Sequence, residues 1–458
     1  MDAISFGTSG WRATLDEFTA PRVRMVAQAT ADYLAEESMG GKPVAVGYDA
    51  RETSRGFAEE VARVLAANGH DVLIPTRDIP TPLVSHAIVS RDLAGGIVIS
   101  ASHNPPEYNG IKFFPADGAP AMPAVTDAIE ANLREPVSKP EAEYGVVREV
   151  NFVDPHANQA FELVSPDLDG VSVVYDPMHG SGRGVTDRLL ERAGAEVWTI
   201  RGDRDPEFGG TPPEPSATNL QVLSETVRER DADIGIANDG DADRIAIVTP
   251  ERGYVDENLF FSATYDFLLE EQSGPAVRTV STTFLVDRVA EAHDESVIET
   301  AVGFKWVAAA VAENDALMGG EESGGFCIRG HVREKDGVLM ALLAGSAEAD
   351  RSYDARLDEL EERFGEIHQD KVSVDCPDDR KTPVVEAVDT SLPDVIAGTE
   401  VERVNRVDGV KALLSDGSWV LVRPSGTEPK LRIYAEAADG DRVDELLEAG
   451  RDLVEPLV

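Results

Sequence analysis

Short apolar runs closed by turn residues recur along this chain, separated by amphipathic stretches of helical length, and that alternation limits the fold more than any other feature. Pro43-Val-Ala-Val-Gly-Tyr-Asp49 is such a run, followed by a helical pattern from Phe57 to Asn68. Asp71-Val-Leu-Ile-Pro75 and Gly95-Gly-Ile-Val-Ile-Ser100 come next. The alternation restarts at Val171-Ser-Val-Val-Tyr175, passes through a helix to Glu196-Val-Trp-Thr-Ile200, and closes on Asp233-Ile-Gly-Ile-Ala237. A third round runs from about Asn258 to Asp350, with strands expected near Arg278–Thr283 and Ala316–Met318. Short apolar runs alternating with helices make βαβ units whose sheets are covered on both faces. Ser352 to Asp370 reads as a charged helix, and a boundary is expected near Cys376-Pro-Asp-Asp-Arg. Beyond it, Val410–Leu414, Trp419–Arg423 and Leu431–Ala437 read as a smaller α+β domain. A chain of 458 residues exceeds one core of usual size, and three or four domains are expected.

Charge narrows the partners. Lys and Arg number 42 against 85 Asp and Glu, a net −43. A surface this acidic repels nucleic acid and anionic membranes, so neither is expected as a partner. The acids are dispersed, not gathered in a tail, which fits adaptation to high internal salt, where screening makes self-repulsion tolerable. Lysine is scarce, and Lys112, Lys305 and Lys430 fall inside the motifs below. No apolar run of about 18 residues suggests a membrane span. The start, Met1-Asp-Ala-Ile-Ser, lacks a signal-peptide pattern, and Cys327 and Cys376 make no disulfide framework, so a cytoplasmic location is expected.

Two segments carry most of the chemistry. Ile99-Ser-Ala-Ser-His-Asn-Pro-Pro-Glu-Tyr-Asn-Gly-Ile-Lys112 follows a buried strand, and open α/β sheets bind ligands at the carboxyl ends of strands. Ser102 beside His103 could be a hydrolase nucleophile, but the G-x-S-x-G elbow is absent. A plain Ser/Asn/Pro turn is the alternative. Ala237-Asn-Asp-Gly-Asp-Ala-Asp-Arg-Ile245 also follows an apolar strand. In an extended backbone Asp239, Asp241 and Asp243 project to one side. Three converging carboxylates repel unless a cation joins them, and hard oxygen ligands select Mg²⁺ or Ca²⁺. An EF-hand loop starting at Asp239 would need Gly and Glu where Arg244 and Pro250 stand, so that reading fails.

Three further segments are weaker alone. Leu421-Val-Arg-Pro-Ser-Gly-Thr-Glu-Pro-Lys-Leu-Arg432 gathers Arg423, Lys430 and Arg432 around a Ser-Gly-Thr turn, which suits a phosphate. Gly319-Gly-Glu-Glu-Ser-Gly-Gly325 offers sugar-reading groups on a flexible loop after a strand, and Phe6-Gly-Thr-Ser-Gly-Trp-Arg12 sets an arginine after a Gly/Ser-rich turn.

Taken in chain order, from Phe6–Arg12 through the segments of Ser102, Asp239 and Glu321 to that of Arg423, the five segments resemble the α-D-phosphohexomutase family, which includes phosphoglucomutases and phosphomannomutases, over essentially the whole chain. The resemblance implies an α/β protein of four domains around a central cleft: three α/β domains with mixed sheets, then a smaller C-terminal α+β domain. We divide them at 1–150, 151–252, 253–368 and 369–458. Ser102 matches the family's phosphoserine. Asp239, Asp241 and Asp243 match the ligands of Mg²⁺, joined by a phosphate oxygen on Ser102. Arg12, His103 and Lys112 match positions of proton transfer and hydroxyl positioning, and Arg244 should lie near the phosphoserine. Glu321 and Ser323 match the sugar-reading loop, Lys305 another ligand-facing segment. Arg423, Ser425, Gly426 and Thr427, with Arg432 nearby, match the distal phosphate clamp. Asp49 and Arg51 fit the pattern without a role. The implied partners are hexose phosphates and a hexose 1,6-bisphosphate. Gly324-Gly325 departs from the Gly-His ending of dual-specificity and glucosamine-type members, while Glu-Glu-Ser leans toward glucose, with mannose next and glucosamine as the alternative. A metal-dependent sugar phosphatase would share the Asp loop but need no two-ended clamp, and a non-catalytic sensor would need no intact Ser102, Lys112 and Asp triad.

Overall fold

The computed structural model describes residues 4–7, 10–426 and 428–458. Four sheets follow one another along the chain. The first contains β1 (Trp11–Thr14), β2 (Val44–Tyr48), β3 (Val72–Ile74), β4 (Gly95–Ile99), β5 (Tyr108–Pro115) and β6 (Val147–Glu149), in the order β1-β5-β4-β2-β3-β6. The second contains β7 (Ser172–Asp176), β8 (Glu196–Thr199), β9 (Ile234–Asn238), β10 (Ile245–Thr249) and β11 (Gly253–Val255), in the order β11-β10-β9-β7-β8. The third has β12 (Ala276–Thr279), β13 (Val297–Thr300), β14 (Met318–Glu321) and β15 (Gly325–Ile328), in the order β13-β12-β14-β15. All three are mixed. The fourth is wholly antiparallel: β16 (His368–Asp375), β21 (Lys430–Ala437), β20 (Trp419–Pro424), β19 (Val410–Leu414), β18 (Thr399–Asn405) and β17 (Val395–Ile396), in that spatial order. Three α/β units and one α+β unit are thus present, as the alternation of elements predicts.

Burial explains why the strands read as they do. Every residue of β2, β4 and β9 is buried, so these strands show continuous apolar runs and no polar–apolar alternation. One apolar core is continuous through the first three units, joining Leu83 and Val98 to Val173 and Ile236 and then to Met318 and Leu339. The fourth unit keeps a core of its own around Val422, Ile433 and Leu446. A smaller patch of Val280 with Trp419, Leu421 and Tyr434 joins it to the third. Among the described residues no helix is long and apolar enough to cross a membrane. Cys327 and Cys376 are free and buried.

Three boundaries differ from the sequence reading. The third-round strands are Ala276–Thr279 and Met318–Glu321, shifted because the chain turns straight after Thr279, where Thr282 N donates to Thr279 O at 3.1 Å. The segment Ser352 to Asp370 is not one helix. A helix spans Tyr353–Phe364, Gly365 takes a left-handed φ of 82°, and β16 begins at His368. β16 lies at the sheet edge with alternate residues exposed, so its charges imitate a solvated helix.

The topology places the site. In each of the four units a strand passes through a short loop to an antiparallel neighbour: β4 to β5, β9 to β10, β14 to β15, and β20 to β21. Those four loops are the four later segments singled out in the sequence. In the first three sheets they leave the carboxyl end of a strand that also has a parallel neighbour, the position where such sheets bind ligands.

Candidate active site

Ser102 is fixed by its backbone. It sits in the β4–β5 loop with φ 52°, 1% exposed, and its N–H donates to Ser100 Oγ at 2.8 Å. A left-handed serine is strained by about 1–3 kcal/mol and persists only where its surroundings enforce it. Arg51 supplies the enforcement. Its guanidinium donates to the carbonyls of Ser102 (2.8 Å), Asn104 (2.5 Å), Pro105 (2.6 Å) and Tyr108 (3.2 Å), and its Nε donates to Asp49 Oδ2 at 3.1 Å. Asp49 in turn accepts from Ser54 Oγ at 2.5 Å. The loop is therefore wrapped around one buried arginine, and the Ser102 hydroxyl is left to point away. Its Oγ donates to Asp239 Oδ2 at 2.7 Å and stands 3.4 Å from His103 Nδ1.

Asp239, Asp241 and Asp243 converge, though not through an extended backbone. The segment after β9 is a tight turn: Ala242 N donates to Asp239 O at 3.0 Å, and Ala242 has a φ of 52°. An extended chain would instead have carried the three carboxylates along a line. Gly240 permits the close approach, since a Cβ there would fall 2.7 Å from the Ser102 carbonyl oxygen. Lys112 on β5 donates to Asp241 Oδ2 at 2.7 Å and Asp243 Oδ2 at 3.2 Å, and Thr81 Oγ1 donates to Asp241 Oδ2 at 2.6 Å. Lys335 stands 3.1 Å from Asp243 Oδ2 and 3.1 Å from Glu334 Oε1. Burial, then the charges of Asp243 and Asp241, push Asp239 well above the ordinary carboxylate range. Burial acts the same way on Asp241, but Lys112 outweighs it and holds Asp241 below that range. Burial would lower Lys112, but Asp241 and Asp243 hold its ammonium above the usual value.

Two lysines do not complete the triad. Asp241 Oδ1 and Asp243 Oδ1 are buried without a hydrogen-bond partner among the described residues, and one oxygen from each aspartate lies within 4.8 Å of the others. Orphaned carboxylate oxygens beside a third carboxylate fit a hard divalent cation. Asp239, Asp241 and Asp243 would hold it.

Around this centre stand anion receptors. Arg12 Nη1 donates to Asn104 Oδ1 at 3.0 Å, while the Nε atoms of Arg12 and Arg244 are buried with no hydrogen-bond partner among the described residues. Arg244 N donates to Asp239 Oδ1 at 3.2 Å, and its guanidinium Nε stands 3.9 Å from Asp243 Oδ1. Arg244, burial and Arg12 together push the His103 imidazole far below its usual range, so the ring is neutral. Thr8 and Ser9 of the N-terminal segment lie outside the described residues.

The sugar-reading segment is not a flexible loop but the turn of the β14–β15 hairpin. It adjoins the triad, because Ile245 N donates to Gly324 O at 3.0 Å. Glu321 ends β14, accepts from Gly303 N at 2.8 Å, and is pushed up to about 7 by burial and by Glu322. Glu322 is held back by Ser281 (2.7 Å), Thr279 (3.1 Å) and Thr282 (3.3 Å), and Ser323 stands in the turn. The fourth-unit hairpin pairs Arg423 with Arg432 across its strands. Arg423 is held by Asp408 at 2.9 Å and Arg432 by Glu428 at 3.0 Å; Ser425 is buried and Gly426 exposed. Thr427 lies outside the described residues. Asp408 also accepts from Val302 N at 3.1 Å, which links this hairpin to the segment that holds Glu321. Lys305 is not gathered with these groups. It lines a separate cavity of about 400 Å³ with Tyr33, Asp117 and Met122.

The order of loops, the Ser–Asp contact and the four-unit architecture have a match along the whole chain. Residues 3–139, 151–253, 256–364 and 372–453 match, in turn, alpha/beta/alpha domains I, II and III and the C-terminal domain of phosphoglucomutase/phosphomannomutase. The chain belongs to this family. The mutase is 36% identical to a probable phosphoglucosamine mutase of Methanopyrus kandleri over 98% of this chain and 97% of that one. It is 31% identical to a phosphoglucomutase/phosphomannomutase of Thermococcus kodakarensis, covering 98% of each. A solved Thermus thermophilus protein, provisionally named a phosphomannomutase, superimposes with a TM-score of 0.85 at 32% identity over 99% of both chains. The enzyme is accordingly an intramolecular phosphotransferase of a metal-dependent family whose substrates are sugar phosphates.

Sequence reading missed Lys335 and left Arg51 without a task. Lys335 had one signal: a scarce lysine just before an apolar helix, in Glu334-Lys-Asp-Gly337. Gly325 makes room for it, as a Cβ there would fall 2.2 Å from Lys335 Cδ. The lysine stem therefore fills the place of any side chain at 325. Arg51 gave no signal beyond a short Asp-Ala-Arg motif, because four of its five acceptors are backbone carbonyls.

Proposed function

We propose that the mutase interconverts hexose 1-phosphates and hexose 6-phosphates in the cytoplasm, carrying the phosphoryl group on Ser102 through a hexose 1,6-bisphosphate. The observation that carries this reading is the Ser102 hydroxyl, buried 2.7 Å from Asp239, with Arg12 bonded to Asn104 of the same loop and Arg244 beside the triad. A phosphoryl group on Ser102 adds about −1.5 to −2 charge, for which Arg12 and Arg244 are the available donors. In the first half-reaction the bond from phosphorus to Ser102 Oγ breaks and one to a sugar hydroxyl forms. The hydroxyl proton passes to a base. Of the two candidates, His103 Nδ1 stands 3.4 Å from Ser102 Oγ, and Lys112 is engaged by Asp241 and Asp243. Mg²⁺ bound at the triad would neutralise charge that develops as the phosphoryl group transfers. The bisphosphate then turns and returns its other phosphate to Ser102. A clamp that grips whichever phosphate is distal is needed for this, and Arg423, Ser425, Gly426, Thr427 and Arg432 fill that role. Glu321 and Ser323 read the sugar hydroxyls.

Three sugars compete for the site. Glu321-Glu322-Ser323 favours glucose, with mannose next. The name of the Methanopyrus relative favours glucosamine, whose ammonium Glu321 could pair. Turnover of glucose 1-phosphate, mannose 1-phosphate and glucosamine 1-phosphate, in molar KCl with Mg²⁺ and a trace of glucose 1,6-bisphosphate, decides between them. At least one must isomerise to its 6-phosphate, and the ratio of kcat/KM values ranks the sugars. Release of inorganic phosphate without isomerisation, or tight binding without turnover, would overturn the proposal.

A further inference from the structure

Away from the phosphoryl chemistry, four side chains meet where the first three units abut. His86 lies on the helix Thr81–Ser90, and His156 on the helix Val153–Val164. His331 and Asp336 lie between β15 and the helix Gly337–Asp350. The ring centroids are 5.6 Å apart for His86 and His156, 6.2 Å for His86 and His331, and 5.1 Å for His156 and His331. His156 Nε2 and His331 Nε2 stand 2.6 and 2.8 Å from the same oxygen, Asp336 Oδ2. The other oxygen, Oδ1, caps the helix by accepting from Val338 N at 3.0 Å and Leu339 N at 2.9 Å. The side chains of His156 and His331 are 1% exposed and that of Asp336 is 0% exposed.

Two observations mark this cluster as incomplete. The Nδ1 atoms of His86, His156 and His331 are all buried with no hydrogen-bond partner among the described residues. Buried polar atoms without partners are uncommon, and these three call for ordered water; an ion held on the Nε2 atoms puts protons on Nδ1 of His156 and His331, and that water would accept from them. Separately, a donor atom from each of His156, His331 and Asp336 lies within 4.8 Å of the other two. Two imidazoles and one carboxylate suit a borderline cation of the zinc type, whereas the all-oxygen Asp triad suits Mg²⁺. Around a tetrahedral ion with bonds of about 2.0–2.2 Å, neighbouring donors stand about 3.3 Å apart, so the present contacts need to open by only about half an ångström. The neighbouring Lys335 is engaged by Asp243 and Glu334.

We propose that His156, His331 and Asp336 form a second divalent-cation site, for a zinc-type ion, that ties the second unit to the third beside the His86 ring of the first. The ion also reaches the active centre indirectly. Asp336 follows Lys335 in the chain and caps the next helix, so an ion on Asp336 fixes the segment from which Lys335 meets Asp243.

The test counts metal. Full-length protein is stripped with a chelator and given excess Zn²⁺ in molar KCl with Mg²⁺. It is then dialysed against the same buffer without zinc, and zinc per chain is measured by mass spectrometry. The comparison is His331→Gln, whose amide can still donate to Asp336 but which has lost the imidazole ligand. Wild type should retain about one zinc per chain more than the variant, whose affinity should fall by at least about 100-fold. Zn²⁺ should also raise the unfolding temperature of wild type and leave that of the variant in place. Circular dichroism of the metal-free proteins checks that both fold, and His156→Gln is the substitute if His331→Gln does not. Equal retention by wild type and variant, including none by either, would overturn the proposal and leave the cluster as a hydrogen-bonded staple.

Discussion

Replacing Arg51 by lysine should nearly abolish turnover without touching a substrate-facing atom. The native guanidinium, 1% exposed, serves five acceptors: Asp49 and the carbonyls of Ser102, Asn104, Pro105 and Tyr108. A lysine ammonium has three donors in tetrahedral array and cannot reproduce the planar fork. At least two buried acceptors lose their donor, at about 1–3 kcal/mol each, for a total of about 2–6 kcal/mol. Some of that loss appears as a lower unfolding temperature. The rest appears as loop movement, since Ser102 then has less to hold it in its left-handed conformation. A displacement of about 1 Å at a reacting atom lowers turnover about 100-fold. Steady-state kinetics, with intact mass spectrometry for phosphorylation, should show kcat lower by about 100-fold and KM for the sugar phosphate changed by less than about 3-fold. The separation is expected because, among the described residues, Arg51 has no hydrogen bond or ion pair to the sugar turn or the fourth-unit hairpin. A folded variant with kcat within about 3-fold of wild type, or with a raised KM at constant kcat, would refute the reasoning.

Other consequences can be checked in parallel. Gly325→Ala drives a methyl group into the Lys335 stem, so it should cost about 1–3 kcal/mol by thermal unfolding and lower kcat as Lys335 leaves Asp243. Lys411 is buried between Phe284 and Trp419, among Arg278, Glu299 and Glu436, and burial and Arg278 lower it to about 8 from the ordinary 10.5. Between those values the unfolded chain binds a proton that the folded chain does not, so stability should rise with pH from about 8 to about 10.5, and Lys411→Met should flatten that rise in pH-dependent melting curves. At a net charge of −43, raising KCl from about 0.1 to about 2 M should raise the unfolding temperature, whereas an equal osmolarity of sucrose should not reproduce the whole effect.

The parts of this site that were legible in the sequence are those contained in one short segment. Ser102 and the Asp triad each follow a fully buried apolar strand, so residue type and position both appear in the letters. The four-unit plan was legible for the same reason. Groups joined only by the fold were not. Lys335 reaches Asp243 from another unit, and Arg51 works on carbonyls that every residue possesses. The turn that gathers the triad depends on a left-handed alanine, Ala242, which carries no turn signal. The start of β16, His368 to Asp370, reads as the end of a helix because an exposed edge strand and a solvated helix share a charged composition. Lys305 carried the motif of a ligand-facing lysine, yet lines a cavity between the helix Phe304–Asn314 and the first unit.

The central claim, that a phosphoryl group passes through Ser102, is tested most directly in a single turnover. The dephosphorylated mutase is mixed with glucose 1,6-bisphosphate labelled in both phosphates, quenched, digested and mapped by mass spectrometry, and the labelled enzyme is then chased with hexose 6-phosphate. The account predicts one label per chain on Ser102, transferred on chase to a bisphosphate, and none in Ser102→Ala. Label on another residue, or label lost as inorganic phosphate with no bisphosphate formed, would contradict it.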